Sequence, residues 1–196
     1  MENQPERVRD EIREKVRRWR NGMLRTLPQP VIARITGWCL GGALTVVAGC
    51  DVAIASEEAL FGLPEVNFGH FPAGETTSVL TEHLKPKHGL YYALTGKMMS
   101  AKDAERIGLI SMVVPRAELD KEVAETAQCL AEKSPMALKA VKEAWYYSSY
   151  SPPDVAFEIS NLISQRTIRE HGGRPGLQQF VDKKLRPVSG VMNLNK

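Results

Sequence analysis

Two adjacent glycines, Gly41 and Gly42, and one carboxylate, Glu65, are the residues of this 196-residue chain best suited to chemistry. The glycines stand between a β-branched apolar run and the small, apolar stretch Ala43–Cys50. A strand–Gly-Gly–helix turn leaves the first helical N–H groups without partners inside the helix, and the helix dipole makes that end partly positive. Having no side chains, the two glycines let a ligand approach the backbone closely. Such a turn can hold a carbonyl oxygen as charge develops on it, a contact worth about 3–4 kcal/mol per donor. The same glycines equally suit close packing of a helix on a strand. Glu65 lies between Phe61-Gly62-Leu63-Pro64 and Val66-Asn67-Phe68-Gly69. It is therefore either a solvent-facing loop residue or a desolvated acid able to move a proton beside that carbonyl.

Several elements must position these groups. Val31–Thr36 reads as a strand, Gly37–Gly42 as a break, Ala43–Cys50 as a tightly packed helix and Val52–Ser56 as a second strand. Upstream, Val8, Ile12, Val16, Trp19, Met23 and Leu27 recur at helical steps, so Pro5–Leu27 is an amphipathic helix with a basic outer face. Downstream, Glu75–Leu84 and Lys87–Leu94 read as helices. Another starts at Ser100, with Ser100 and Asp103 as a possible cap, and ends near Gly108. Leu109–Val114 is a strand. Ala117–Lys133, Pro135–Tyr147, Pro153–Glu170 and Gly176–Lys184 are helices, with Gly172-Gly173 between the last two. The class is α/β, with helices collected at the C-terminal end.

Composition narrows the options. The length suits one domain. No run approaches the ~20 apolar residues of a membrane span, and the N-terminus has no apolar signal core, so a cytoplasmic protein is expected. Cys39, Cys50 and Cys129 are scattered, as reduced core thiols are, and the four histidines show no metal spacing. The net charge of +3 resides in residues 1–27, where eight basic residues are interleaved with five acids. That mixture reads as a solvated helix face and not as a nucleic-acid surface.

GWCLGGALTVVAGCDVAIASEEALFGLPEVNFG and the later TGKMMSAKDAERIGLISMVVP (Thr95–Pro115) resemble, in order and spacing, the signature of the crotonase (enoyl-CoA hydratase/isomerase) superfamily. The resemblance runs from about residue 5 to Pro187. Within the superfamily, TGWCLGG, the Tyr91-Tyr92 pair and the basic N-terminal helix are most similar to hydroxycinnamoyl-CoA (feruloyl-CoA) hydratase-lyases. The resemblance implies a ClpP/crotonase spiral fold, with a core at 1–115 and a C-terminal helical trimerisation region at 116–196. It also implies several strands ahead of the first helix. The expectation is that this chain is N-terminally truncated, a start-site error or a natural short form, and catalytically crippled as it stands.

The resemblance further implies that Gly42 is one of two backbone donors to an acyl-CoA thioester oxygen, the other lying in the region ahead of residue 5. Of the two glutamates used by hydratases of fatty-acid oxidation, the second matches Glu65 and the first falls on Thr45, which is no carboxylate base. Glu65 would then protonate the α carbon while water, positioned by Thr45, adds at the β carbon. Alternatively, Thr45 is a half-buried hydroxyl bonded within its helix. Retro-aldol cleavage would release an aromatic aldehyde and acetyl-CoA. The lyases hold the substrate phenol with a tyrosine, and Val155–Gln165 has none. GLQQFVDKKLRP matches the family's last helix, implying that Phe180 and Lys183 contact CoA, with Lys184 and Arg186 adding charge. No cofactor is expected, since CoA is part of the substrate. The implied partners are the acyl-CoA and further copies of the chain in a homotrimer or hexamer, with no nucleic acid, metal or membrane. A generic enoyl-CoA hydratase/isomerase, or a non-catalytic crotonase-like remnant, is the alternative.

Overall fold

The computed structural model describes residues 5–73 and 76–171. These fall into two compact units that divide between Ala127 and Gln128.

The first unit is built around two three-stranded sheets. β1 (Ile32–Ile35), β3 (Val52–Ser56) and β6 (Met112–Val114) form a parallel sheet in the order β1-β3-β6. β2 (Trp38–Leu40), β4 (Leu60–Gly62) and β5 (Met98–Ser100) form the second, in the order β2-β4-β5. β2 pairs with β4 in parallel, and β5 is antiparallel to β4. The chain therefore leaves one sheet at Gly37 and again near Ala59, entering the other each time. Leu60 N–H donates to Gly37 O at 3.2 Å across that corner. Trp38–Leu40 was expected as a break and is instead a strand. With three residues each, β2, β4 and β5 are too short to show alternation. The predicted strand Leu109–Val114 contracts to β6 because Leu109 and Ile110 bond back to Ala104 O at the end of a helix.

Asp51 fixes the start of this layout. Its carboxylate accepts from Val31 N–H at 2.7 Å, and its own N–H donates to Val31 O at 2.9 Å. Between β2 and β3 runs α3 (Gly42–Gly49), whose Leu44, Thr45, Val47 and Ala48 are buried. The core joins Ile35, Leu44, Phe61, Leu63, Leu80, Leu84, Met99 and Ile107. Alanines 55, 59, 101 and 104 are wholly buried there, which lets strands and helices approach closely.

The predicted first helix is not uniform. α1 (Glu6–Arg17) passes into a π-helical turn, Arg18–Met23, and then a short α2 (Leu24–Thr26). α1 buries nothing, and its acids pair with Arg7, Arg13 and Arg17 of the helix and with Arg18 just beyond it, through Arg7–Glu11, Arg13–Asp10, Arg17–Glu14 and Arg18–Glu14 contacts of 2.7–3.1 Å. Bonds from Arg17 and Arg18 hold the Glu14 carboxyl at about 2.

α4 (Thr76–His83), α5 (Pro86–Thr95) and α6 (Ala101–Arg106) follow. The Ser100 cap is present: its hydroxyl accepts from Asp103 N–H at 3.1 Å. α7 (Leu119–Ala131) closes the unit and runs into the second. There, α8 (Pro135–Tyr150) and α9 (Pro153–His171) are linked by Arg166 on Glu143, and the Ser134 hydroxyl caps α8 through Ala137 N–H. The predicted helix Gly176–Lys184 lies outside the described residues. Among those described, no helix is long and apolar enough to cross a membrane, and no three His, Cys, Asp or Glu gather as a metal cluster.

Among the described residues, Phe61 is the largest fully buried side chain, and it lies on the strand that leads to Glu65. Phe61→Ala should lower stability by about 3–5 kcal/mol in urea denaturation. Phe61→Leu should cost clearly less.

Candidate active site

Gly41 lies at the junction of β2 and α3 with φ +53° and ψ −123°, a conformation that residues with a Cβ rarely adopt. Its N–H donates to Gly62 O at 2.9 Å, fastening the start of α3 to the end of β4. From Gly62 the chain needs only three residues to reach Glu65, which lies in a 3₁₀ turn, Pro64–Phe68. Pro64 at the first position starts this turn, and Gly69, with φ +71°, ends it. A second tie holds the turn in place. Asn67 Nδ2 donates to Gly96 O at 3.1 Å, and Gly96 is itself a left-handed cap on α5. The glycine of the Thr95-Gly96 motif is required because a Cβ there would lie 2.5 Å from Asn67 Oδ1.

These ties bring Glu65 onto Gly41. A Cβ on Gly41 would overlap Glu65 Oε1 and lie 3.3 Å from its Cδ. The other carboxyl oxygen, Oε2, is buried and has no hydrogen bond to the protein. A buried oxygen left so costs on the order of 1–3 kcal/mol, and native structures keep few of them. Beside it, Gly42 is the first residue of α3, where a helical N–H has no partner within the helix. The structure thus brings Glu65 onto Gly41, the residue that precedes Gly42. A partly positive backbone end and a partly desolvated carboxylate share one small region, and Glu65 is in a short helix, not an open loop.

Thr45 stands one turn along α3 and faces away from solvent. It has no accessible surface, and its hydroxyl donates to Thr76 Oγ1 at 3.2 Å, which in turn donates to Ala73 O at 2.9 Å. This chain of bonds joins α3 to the start of α4. Phe180 and Lys183 lie outside the described residues, as do Lys184 and Arg186. Cys39, on β2, is a core thiol, pushed up to about 11 by burial.

One neighbour of the site was not singled out from the sequence. Nη1 of Arg20, from the π-helical turn, lies 2.8 Å from where a Cβ of Gly42 would be, and the Arg20 carbonyl lies 3.0 Å from the equivalent point on Gly49. Gly42 and Gly49 are seven residues apart, two turns of helix, and so lie on one face. That glycine spacing was the available signal. Arg20 itself is one arginine among many in its segment.

Gly41→Ala combines an unfavourable φ with a clash on Glu65, and should cost about 2–4 kcal/mol in thermal or urea denaturation. Gly37→Ala, where a Cβ would meet nothing within 4 Å, is the matched control and should cost under about 1 kcal/mol.

The sequence profile of the family described as Enoyl-CoA hydratase/isomerase matches residues 2–188. The hydroxycinnamoyl-CoA hydratase-lyase of Pseudomonas fluorescens is 33% identical over 183 residues, which is 92% of this chain and 66% of that protein. A relative from Dictyostelium discoideum is matched over 58% of its length, so the chain spans about three-fifths to two-thirds of these relatives. Among solved structures, an enoyl-CoA hydratase from Bacillus anthracis superposes with a TM-score of 0.84 at 29% identity, covering 92% of this chain and 70% of that one. The human enoyl coenzyme A hydratase domain-containing protein 3 gives 0.79 at 29%, covering 91% and 68%. The strand order, the Gly-Gly helix start and these similarities lead to one conclusion: the chain belongs to the enoyl-CoA hydratase/isomerase, or crotonase, family and has its fold.

Proposed function

We propose that this protein polarises the carbonyl of an acyl-CoA thioester at the start of α3 and moves a proton at the adjacent carbon with Glu65. The observation that carries this reading is the Glu65 carboxyl itself, lying on Gly41 with Oε2 buried and without a hydrogen bond to the protein. The N–H of Gly42 donates to the thioester oxygen. Negative charge developing there is stabilised by the donor and by the helix dipole. A carboxylate within reach of the α carbon gives or takes its proton, a contribution of about 10²–10⁴ in rate.

The substrate we propose is a hydroxycinnamoyl-CoA-type enoyl thioester, a reading supported by the Pseudomonas relative. Water adds its oxygen to the β carbon, and Glu65 delivers a proton to the α carbon. Loss of the β-hydroxyl proton then breaks the Cα–Cβ bond, releasing an aldehyde. The carbon left on the thioester is protonated, giving acetyl-CoA. CoA enters as part of the substrate, with no separate cofactor. Phe180 and Lys183 are the proposed CoA contacts. Exposed apolar side chains on α8 and α9, among them Val141, Trp145, Phe157 and Leu162, support assembly with further copies as a trimer or hexamer.

Thr45 favours a second reading. Enclosed and bonded to Thr76, its hydroxyl suits a structural role better than the holding of a water. One carboxylate without a water site suits an enoyl-CoA isomerase, in which Glu65 takes a proton from one carbon and returns it two carbons away. Feruloyl-CoA separates the two readings: the lyase releases aldehyde from it, whereas an isomerase moves the double bond of a 3-enoyl-CoA.

Glu65→Gln should reduce turnover of the active substrate by about 10²–10⁴-fold with CoA affinity retained. Near-normal turnover would remove Glu65 from the chemistry. Lys183→Ala should weaken CoA binding more at low salt than at high salt, as calorimetry at two ionic strengths can show.

A further inference from the structure

Glu65 and Asn67 are seated in the same way. The Glu65 carboxyl fills the place of a Cβ on Gly41. The Asn67 carboxamide fills the place of a Cβ on Gly96, which would lie 2.5, 2.7 and 2.8 Å from its Oδ1, Nδ2 and Cγ. Both glycines have positive φ, +53° and +60°. The 3₁₀ turn is thus keyed at two points, by side chains two residues apart, into backbone that has no side chain of its own.

The second key is itself fixed to the strand from which the turn departs. Gly62, the last residue of β4, pairs with Met98 of β5, and Gly96 lies two residues ahead of Met98. By donating to Gly96 O at 3.1 Å, Asn67 Nδ2 closes residues 62–67 into a loop that starts and ends on one pair of strands. Gly96 is held in turn. Its N–H donates to Tyr92 O at 3.0 Å, and Thr95 Oγ1 beside it donates to Tyr91 O at 2.6 Å. Within the turn, His70 N–H donates to Glu65 O at 3.0 Å, so the Glu65 backbone is secured. Its carboxyl is not aimed from Oε2, which has no hydrogen bond to the protein. Where that oxygen points depends on where the turn sits. Asn67 is exposed, and a bond made at the surface adds little to the stability of the whole fold.

With the acyl-CoA reading above as its premise, we propose that Asn67 is a positioning residue for the Glu65 carboxylate: its bond to Gly96 sets the turn where Glu65 reaches the α carbon of the thioester. Asn67 touches no reacting atom. Without its bond the turn drifts about its Gly62 end and the carboxylate moves with it. A misplacement of about 1 Å can cost on the order of 10²-fold in rate. The loss falls on proton transfer and not on affinity for the thioester.

Butyryl-CoA is the probe, with the full chain in D₂O and proton NMR as the readout. Glu65 takes a proton from the α carbon and returns a deuteron drawn from solvent, with no other bond made or broken. The exchange is therefore read without choosing between lyase and isomerase. Glu65→Gln sets the background. Asn67→Ala should lower the saturating exchange rate about tenfold while KM changes less than about twofold. Asn67→Gln keeps a donor and should recover part of that rate, a rescue that lost stability alone would not give. Gly96→Ala should also slow exchange, by displacing the carboxamide. The double variant should be no slower than Gly96→Ala alone, because both changes act on one contact. A saturating rate unchanged in Asn67→Ala, or a loss carried by KM alone, overturns the role of Asn67 and leaves the acyl-CoA reading standing. An Asn67→Ala chain that fails to fold makes the residue structural and overturns the proposal as well. An unmodified chain that exchanges no faster than Glu65→Gln overturns the acyl-CoA reading, and this one with it.

Discussion

The Glu65 carboxylate occupies the space that a side chain on Gly41 would fill, and much of the first unit is arranged around that contact. It demands a residue without a Cβ, and a backbone with φ near +53°, a combination that glycine alone meets without strain. It also demands that two chain segments arrive together. The bond from Gly41 N–H to Gly62 O and the bond from Asn67 to Gly96 supply that coincidence from opposite sides. One fixes where the helix begins, the other where the acidic turn sits.

α3 is the hub through which these constraints act. It is short and almost wholly apolar, and its faces have separate tasks. Its start faces Glu65. Its Gly42–Gly49 face receives the π-helical turn, and Thr45 on a buried face ties it to Thr76. Of the small residues read from the sequence as close packing, Ala48 and Gly49 are buried in this crowding, whereas Ala43 is exposed. Of the two readings of the glycine pair, ligand approach or close packing, these contacts show close packing. Gly41 makes room for a carboxylate, and Gly42 makes room for an arginine.

What was legible in the sequence follows from length and periodicity. The helices and the strands β1 and β3 announce themselves through runs of four or more residues with a clear pattern. β2, β4 and β5 do not, because a three-residue strand takes its stability from neighbours and not from its own composition. Glu65 and Gly42 stood out by residue type, and the family resemblance paired them. Asn67 and Arg20 did not stand out. Each acts through a partner distant in sequence, Gly96 for one and Gly42 with Gly49 for the other, and such pairing is invisible to local pattern. For Thr45 the sequence leaves open a place in the site or a hydroxyl bonded within its helix, and its observed partner, Thr76, is 31 residues away.

The clasp between Val31 and Asp51 has a consequence for how the chain folds. It closes a loop across a separation of 20 residues, inside which β1, β2 and α3 all lie. Pairing β3 with β6 closes one of 58, as between Ala53 and Ser111. Loop entropy makes the shorter closure cheaper by about 0.9 kcal/mol. The β1–α3–β3 block, which carries Gly41 and Gly42, is therefore favoured to form first, with the acidic turn docking onto a helix start already made and β6 completing the sheet afterwards.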